Sequence, residues 1–272
     1  MLMKKKTKTI FLSGGLGNNL FQISYADKIS NEYDIVFNTY LQNDNWFTRK
    51  LGWSIHPTEI CDVLLEGRKT VKRFNFVDFS FTSIVFLLSK LRIFDLHDCN
   101  KVPSFWNRIY SKFEVNFTAN EEFFIKSDNK LDESEFNHIV EQFGLDVIHV
   151  RRGDFEKNIQ LDIEYYKEAV NRHGGKSFVV VTNDKTVVDE LRSSIDHVEF
   201  LDSIGKSQKE DFYILKNSRS IILSNSTFSY WASQIGNVPT IYYPDFIKPK
   251  KEWTFPFLQK NTPVRATFGG WL

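Results

Sequence analysis

The chain has 272 residues, of which 42% are hydrophobic and 25% charged, as is usual for globular domains with a large core. A net charge of +1 provides no overall positive field for nucleic acid, and two cysteines are too few for a disulfide framework. From the net charge we expect a protein that binds no nucleic acid. Because no apolar run approaches the length of a membrane span and cysteines are few, we expect it in the cytoplasm.

The first half opens on a predicted strand, a glycine-rich turn and a helix. Residues 7–12 form the strand, and the turn reads Gly14-Gly15-Leu16-Gly17-Asn18-Asn19. Residues 20–29 have helical spacing, and residues 35–37 predict a second strand. The turn is neither Gly-x-Gly-x-x-Gly nor a Walker A motif, so it fits a tight connection as well as a ligand site. The two asparagines at the helix start favour a ligand.

The middle of the chain has less pattern. Residues 40–115 are rich in aromatic side chains and irregular, with short strands and helices expected to alternate. Residues 120–143 are charged and predict a helix that joins the two halves.

Strands and helices alternate through the second half. The predicted strands are short apolar runs at residues 146–150, 177–182, 198–201, 220–223 and 239–243. The predicted helices between them are residues 163–172, 185–193, 209–217 and 227–235. This alternation predicts an α/β fold with a parallel, doubly wound sheet, whose functional residues follow the carboxyl ends of its strands.

The first strand of this half runs into a pair of arginines, in the sequence His149-Val150-Arg151-Arg152-Gly153-Asp154. Two guanidinium groups at a strand exit can bind phosphate oxygens bidentately without losing their charge. A surface pair bound to Asp154 or Glu156 is the alternative interpretation. Gly153 favours the ligand, because a bare Cα lets the backbone come close to it. If the anion is a diphosphate leaving group, this is the centre of a transferase.

Three further strand ends carry polar side chains. Thr182-Asn183-Asp184 fits a helix cap and a nucleotide contact equally well. Glu210 and Asp211 start a helix, where they complement its dipole, although a carboxylate can also accept from the N1–H and N2–H₂ groups of guanine. Residues 224–233 hold more hydroxyls than capping requires, which predicts a phosphate site at the start of a helix.

Other chemistries lack their motifs. The sequence contains no Asp-x-Asp, His-Glu-x-x-His or Cys-x-x-Cys, so we expect no metal site and no cofactor. It also lacks the Gly-x-Ser-x-Gly of serine hydrolases.

Four segments resemble, in order, the motifs of α-1,2-fucosyltransferases of glycosyltransferase family 11. They are Gly-Gly-Leu-Gly-Asn-Asn-Leu-Phe-Gln at 14–22, His-x-Arg-Arg-x-Asp at 149–154, Thr-Asn-Asp at 182–184 and Asn-Ser-Thr-Phe-Ser-Tyr-Trp at 225–231. The resemblance runs from residue 13 to about 236 and suggests a bacterial member. It implies a GT-B fold, with two Rossmann-like domains facing across a cleft. We expect an acceptor-side domain at 1–140, a GDP-sugar domain at 141–245, and a tail at 246–272 that packs back on the first domain.

The same resemblance implies an inverting, metal-independent transfer of L-fucose from GDP-β-L-fucose to the 2-OH of a galactoside. Arg151, Asn18 and Asp154 are then the expected catalytic residues, with Arg151 on the diphosphate. His149 and Asp211 are expected at guanosine. The expected donor site comprises Gly15, Gly17, Asn18, His149, Arg151, Arg152, Thr182, Asn183, Asp184, Asp211, Ser226, Thr227, Phe228 and Ser229.

Three positions depart from the family pattern. Asn19 stands where glutamine is usual, Asn183 where aspartate is frequent, and Tyr230 where tryptophan is common. None removes an arginine, so the departures bear on acceptor choice. The base is left open between Asp154, Asp27, Glu156 and a base-free route.

The acceptor is expected to be a galactose-terminated oligosaccharide or lipid-linked glycan of a surface polysaccharide, such as a lipopolysaccharide O-antigen. Residues 40–115 are expected to shape the site that binds it. Lys248, Lys250 and Lys251 fit a solvated face better than a peripheral contact with the inner membrane, which stays the alternative. The alternatives are another GDP-deoxyhexose or linkage, and a non-catalytic nucleotide- or glycan-binding protein.

Overall fold

The computed structural model describes residues 5–12, 14–42, 59–72, 121–131, 145–153, 160–203, 207–245, 247–248, 252–253 and 264–268. The chain divides into two compact units, one of residues 1–57 and 61–117, the other of residues 58–60 and 118–272. Each unit has a sheet of its own, parallel in the first unit and mixed in the second.

The first unit begins with the strand, helix and strand that the sequence predicts. They are β1 (Lys6–Phe11), α1 (Leu16–Ile29) and β2 (Tyr33–Asn38). Strands β1 and β2 pair in parallel, and Gly15, in extended backbone, lets α1 begin at Leu16 rather than at residue 20. A 3-10 turn at Tyr40–Gln42 follows, then α2 (Glu59–Leu65) and β3 (Thr70–Val71), which pairs in parallel with β2. The rest of the aromatic-rich region 40–115 lies outside the described residues.

The second unit alternates strands and helices as predicted, with bounds that agree to within one residue from residue 146 to residue 244. Its strands are β4 (Asp146–Val150), β5 (Ser177–Thr182), β6 (Glu199–Asp202), β7 (Ser220–Ile222) and β8 (Thr240–Pro244). Its helices are α3 (Glu121–Lys130), α4 (Ile163–His173), α5 (Thr186–Ser194), α6 (Gln208–Lys216) and α7 (Thr227–Ile235).

The sheet of this unit has the strand order β11-β8-β7-β4-β5-β6. Strands β8, β7, β4, β5 and β6 are parallel, so the chain starts at the centre with β4, moves outward through β5 and β6, and returns to β7 and β8 on the other side. This is the strand order of a doubly wound, Rossmann-like sheet, and the direction in which successive strands are added reverses between β4 and β7. Open α/β sheets bind their ligands at this point, outside the carboxyl ends of the strands.

The tail corrects one expectation. β11 (Val264–Phe268) pairs antiparallel with β8 and so forms an edge of the second unit's sheet, where the sequence analysis placed the tail on the first domain. Val264 is buried there, and Arg172 of α4 donates to its carbonyl oxygen at 2.8 Å. An open edge of β8 would leave backbone groups unpaired, and β11 satisfies them. Two further short strands, β9 (Ile247–Lys248) and β10 (Glu252–Trp253), pair with each other.

Helix α3 also differs from expectation, because residues 118–140 belong to the second unit and not to the first. Phe123 packs edge-on against Trp231 of α7, with 5.4 Å between ring centroids. Lys216 of α6 donates to Leu131 O at 2.9 Å and forms an ion pair with Asp128 at 3.0 Å. These contacts attach the helix to the sheet that follows it in sequence. The second part of the predicted helix lies outside the described residues.

The amino end of the central strand is held by charge. The buried carboxylate of Asp146 accepts from Arg219 at 2.7 Å and from the hydroxyl of Ser220 at 2.7 Å. This ion pair lies at the opposite end of β4 from the arginine pair, so it stabilises the sheet and does not contribute to the ligand-binding edge.

Candidate active site

Three predicted motifs lie side by side because the strands before them are neighbours. Val150 of β4 pairs with Thr182 of β5, and Ile148 pairs with Ile222 of β7. The residues after these pairs therefore meet at one edge of the sheet: the arginine pair in the middle, Thr182-Asn183-Asp184 on one side and the hydroxyl-rich segment from Ser224 on the other.

His149 and Ser224 join β4 to β7 at this edge. Their Nδ1 and Oγ atoms are hydrogen-bonded at 2.7 Å, and His149 is 3% exposed. Burial, reinforced by the positive charge of Arg151, lowers the pKa of His149 to about 3. The ring is therefore neutral at physiological pH. His149 and Arg151 are two residues apart in extended chain and so share one face.

The two arginines face different surroundings. Arg152 is only 15% exposed, and its guanidinium donates to Gln160 at 3.1 Å and lies 3.7 Å from the carboxylate of Glu190 on α5. Arg151 is half-buried on the His149 side. The pair is therefore not a symmetrical fork: Arg152 is bound towards α5, and Arg151 shares the sheet face of His149.

The hydroxyls at the start of α7 are partly used by the helix itself. Ser226 is the N-cap and accepts from Phe228 N at 3.3 Å, while Ser229 donates to Ser226 O at 3.3 Å and is 0% exposed. Thr227 and Phe228 remain partly exposed. The structure therefore places Ser229 inside the unit, and Thr227 and Phe228 at its surface. The ligand role of all four residues stays a prediction.

Thr182 and Asp184 form local hydrogen bonds in the turn before α5, whose N-cap residue, Lys185, makes no side-chain cap. The Thr182 hydroxyl accepts from Asp184 N at 3.1 Å, and Asp184 accepts from the Thr186 hydroxyl at 2.7 Å and Thr186 N at 3.0 Å. Hydrogen bonds from Thr186 lower the pKa of Asp184. Asn183, between them, turns its amide towards β4.

The two acidic residues that start α6 have separate roles. Glu210 forms a capping box with Ser207. Asp211 accepts instead from the hydroxyl of Ser203, after β6, at 3.0 Å. Burial, together with the charges of Glu210 and Asp202, raises the pKa of Asp211 to about 6, although the Ser203 hydrogen bond opposes the shift. A carboxylate that is not needed for capping and is kept away from water is available for a ligand.

Aromatic rings connect Asp211 to the arginine strand. Phe212, the next residue on α6, packs edge-on against Phe228 at 5.4 Å, and Phe228 lies 5.9 Å from the ring of His149. Of these three rings only that of Phe228 is partly exposed, because Phe212 and His149 are buried. Phe228 is therefore the ring of this cluster that a ligand can contact.

The glycine turn of the first unit is closed by its asparagines. Gly14 has a φ of +78°, and a side chain there would meet the Asn18 amide at 2.6 Å. Asn19 is buried and donates to Gly14 O at 3.2 Å. Gly15 is the N-cap of α1 without a side-chain cap, and Gly17 is buried in the first turn. Asn18 is half-buried at the helix start, and its catalytic role stays a prediction.

One candidate for the base lies among the described residues. Asp27 is in the last turn of α1, and Arg68 donates to both of its carboxylate oxygens. It is nine residues from Asn18, about 13 Å along the helix axis. Its carboxylate is thus ion-paired and distant from the glycine turn, and its role as base stays a prediction. Asp154 and Glu156 lie outside the described residues.

The sequence did not predict the contacts that Ser203, Phe212, Gln160 and Glu190 make at this edge. These residues contact the site from elements whose neighbours only the sheet order determines. Ser224 belonged to the predicted hydroxyl-rich segment, but its hydrogen bond to His149 was not predicted.

Two kinds of feature are absent from the described residues. In the part of the chain that the structure describes, no three His, Cys, Asp or Glu side chains converge in the manner of metal ligands. No helix within the described ranges is both long and apolar enough to cross a membrane.

The Rossmann strand order, with arginines and a helix N-terminus at its switch point, defines an α/β protein of the class that binds its ligands outside the carboxyl ends of the strands. Its class is GT-B: the chain superposes on a solved structure of NodZ α-1,6-fucosyltransferase, co-crystallised with GDP, with a TM-score of 0.50 and 16% identity. That alignment covers 89% of this chain and 96% of the other. The chain belongs to glycosyl transferase family 11, whose profile matches residues 58–261. It is therefore a glycosyltransferase, and the glycine turn of the first unit lies outside the family match.

Curated relatives agree with the family. An α-1,2-colitosyltransferase of Escherichia coli is 24% identical over 258 residues, covering 83% of this chain and 86% of that protein. Galactoside α-(1,2)-fucosyltransferase 1 of Oryctolagus cuniculus is 28% identical over 138 residues, which cover 46% of this chain and 36% of the rabbit protein. The chain thus matches only about a third of the mammalian relative's length.

Proposed function

We propose that the protein transfers L-fucose from GDP-β-L-fucose to the 2-OH of a galactoside, with inversion and without a metal ion. The observation that carries the proposal is the position of Arg151 at the switch point, beside β7 and the start of α7. The α-1,2 linkage in the names of both curated relatives supports the regiochemistry.

In this proposal the nucleotide lies along the carboxyl edge of the second unit's sheet. Asp211 accepts from the N1–H and N2–H₂ groups of guanine, and the base rests against the partly exposed ring of Phe228. Arg151 and the N–H groups at the start of α7 bind the diphosphate. A helix N-terminus and a guanidinium are both favourable to phosphate, and together they supply counter-charge.

The transfer is a single displacement. The bond between C1 of the sugar and the β-phosphate oxygen breaks, its electron pair leaves with GDP, and the acceptor oxygen bonds to C1 from the opposite face. The acceptor proton passes to Asp154, to Glu156 or to solvent. Negative charge grows on the departing diphosphate, so a fixed guanidinium stabilises the transition state more than the bound donor.

The decisive test replaces Arg151. Arg151→Ala should lower kcat/KM with GDP-fucose about 10²–10³-fold, the usual effect of removing a group that stabilises developing charge. Arg265→Ala is the matched control, because Arg265 is an exposed arginine on the edge strand β11 that forms an ion pair with Asp245. Transfer at a near wild-type rate by the Arg151→Ala protein would refute the assignment, and complete inhibition by EDTA would refute the metal-free route.

Another GDP-deoxyhexose is the second candidate, and the colitosyltransferase relative favours it because the similarity extends over most of both chains. Colitose is L-fucose without its 3-hydroxyl. A site that hydrogen-bonds this hydroxyl discriminates about 10⁴–10⁵-fold against the deoxy sugar, whereas a site without that contact discriminates weakly. Paired kcat/KM measurements with GDP-fucose and GDP-colitose therefore identify the donor. Guanine-nucleotide binding without turnover of any sugar donor would instead support a non-catalytic binding protein.

The acceptor is proposed to be a galactose-terminated oligosaccharide or lipid-linked glycan of a surface polysaccharide. An acceptor array, followed by linkage determination of the product by NMR, tests it. Absence of transfer to all terminal galactosides would refute the α-1,2 assignment. The cytoplasmic location and the contact with the inner membrane remain predictions for cell fractionation.

A further inference from the structure

One side-chain amide closes the turn that follows the arginine pair. Asn183 Oδ1 accepts from Arg152 N at 2.9 Å, and Asn183 Nδ2 donates to Arg152 O at 3.3 Å. The last rung between β4 and β5 is Val150 with Thr182, so Arg152 and Asn183 lie just beyond it. The amide therefore prolongs the pairing of the two strands, with a side chain in place of backbone.

The residue after the pair is shaped to receive this amide. Gly153 has a φ of +54°, and a Cβ at this position would lie 2.5 Å from Asn183 Nδ2. A side chain would be strained by the backbone conformation and would also collide with the amide. Gly153 and Asn183 thus fit each other, and neither can change without moving the turn.

Arg152 is bound at its other end as well. Its guanidinium is held by Gln160 and by Glu190 on α5, as described above. With the backbone groups of Arg152 bound by Asn183 and its side chain bound towards α5, the preceding residue has little freedom. Neighbouring residues of extended chain point to opposite faces, so holding Arg152 on one side directs Arg151 to the other.

We propose that Asn183 is a positioning residue: its amide fixes the turn at Arg152 and Gly153, and thereby orients Arg151 towards the diphosphate of the donor. The inference rests on the proposed function for the identity of that donor. The sequence predicted that Asn183 contacts the nucleotide directly. The inference assigns it instead to the support of the arginine. Preorganisation of a charged group saves the ordering cost when the ligand binds.

The test compares ligands that do and do not carry a diphosphate. Calorimetric titration of the full chain with GDP, inorganic pyrophosphate and guanosine is made for wild type and for Asn183→Ala. We expect Asn183→Ala to bind GDP and pyrophosphate about tenfold more weakly, the value of one lost hydrogen-bonded contact. Guanosine affinity should change less than twofold. Equal losses for all three ligands would mean general loosening of the fold and would overturn the inference.

Two further variants make the test specific. Asn217→Ala is the matched control, because Asn217 also uses its amide on a backbone carbonyl, that of Tyr213 at 3.0 Å, at the far end of α6. Gly153→Ala should weaken GDP binding strongly in wild type and less in the Asn183→Ala background, since the collision partner is then absent. Additive losses in the double variant would show that the two residues act separately, which overturns the clamp.

The outcomes separate this inference from the proposed function. Wild-type protein that binds GDP but transfers no sugar would refute the function while the Asn183 effect on GDP affinity stands. Wild-type transfer with unchanged GDP affinity in Asn183→Ala would refute the inference alone.

Discussion

Replacing Asp211 with asparagine should stabilise the protein while weakening its binding of guanine nucleotide. The carboxyl of Asp211 is half-buried at the start of α6 and accepts one hydrogen bond from Ser203, and partial burial raises its pKa from 3.8 to about 6. A raised pKa in the folded state means that folding penalises the charged form. The contribution of the protonated Asp211 carboxyl to the free energy of unfolding is complete below pH 3.8 and is lost as the pH rises through 6.

The magnitude follows from the size of the shift. About two pH units correspond to about 3 kcal/mol, which the ionised carboxylate costs the folded state at pH 7.5. Asparagine removes this cost and keeps the hydrogen bond, because its Oδ1 can accept from Ser203. We expect Asp211→Asn to raise the free energy of unfolding by about 1–3 kcal/mol at pH 7.5 and to have little effect at pH 3.5.

Nucleotide binding should change in the opposite direction. An amide presents only one acceptor to the paired donors of guanine, and loss of a hydrogen bond to a charged group costs about 1.5–3 kcal/mol. GDP affinity should therefore fall about 10- to 150-fold. In wild type the affinity should itself decline as the pH falls through 6, whereas the Asp211→Asn protein should lack this dependence.

Urea denaturation at both pH values and calorimetric titration with GDP measure the two effects. Asp189→Asn is the control, because Asp189 is an acidic residue on α5 that is exposed to solvent. A destabilised Asp211→Asn protein at pH 7.5 would show that the carboxylate is favourable to the fold. Unchanged GDP affinity would show that Asp211 does not contact the base. Either result contradicts the reasoning.

Two predictions concern stability. Gly236→Ala should lower the free energy of unfolding in urea by more than about 2 kcal/mol, because a Cβ would lie 1.8 Å from Lys216 O between α6 and α7. Gly174→Ala is the comparison: its φ is +71° and the space around it is open, so it should cost only about 1 kcal/mol. Similar costs for the two variants would refute the packing argument. Burial by itself raises the pKa of Asp146, but hydrogen bonds, chiefly from Arg219, outweigh it and hold that pKa below its usual value. Asp146→Asn should therefore cost about 2 kcal/mol at pH 7, and the deficit should shrink below pH 3.8; a deficit that does not vary with pH would rule out the ion pair as its cause.

Much of the fold was readable from the chain. The strands and helices from residue 146 to 244 followed from local period, and the alternation predicted a parallel sheet with its site at the carboxyl edge. Local period is visible because the side chains that define it are close in sequence. The pairing of residues 264–268 with β8 was not predicted for the same reason, because nothing near Val264 in the sequence indicates this partner.

The candidate site was readable in its membership and not in its roles. Sequence placed His149, the arginine pair and the segment from Ser224 at strand ends. The pattern of the residues did not separate Arg151 from Arg152, or Glu210, which caps α6, from Asp211, which accepts from Ser203. Only the family resemblance assigned the diphosphate to Arg151 and guanosine to Asp211. Adjacent residues of one type look alike until their neighbours are known.

Sequence by itself determined the elements, the family resemblance and the residues that end each strand. Tertiary structure decided which strand ends meet, which arginine is bound towards α5, and that Asn183 contacts Arg152 from a strand 31 residues away in sequence. The reason is physical: period and turn chemistry act over a few residues, whereas hydrogen bonds between strand ends, burial and the resulting pKa shifts depend on which segments the sheet order makes neighbours.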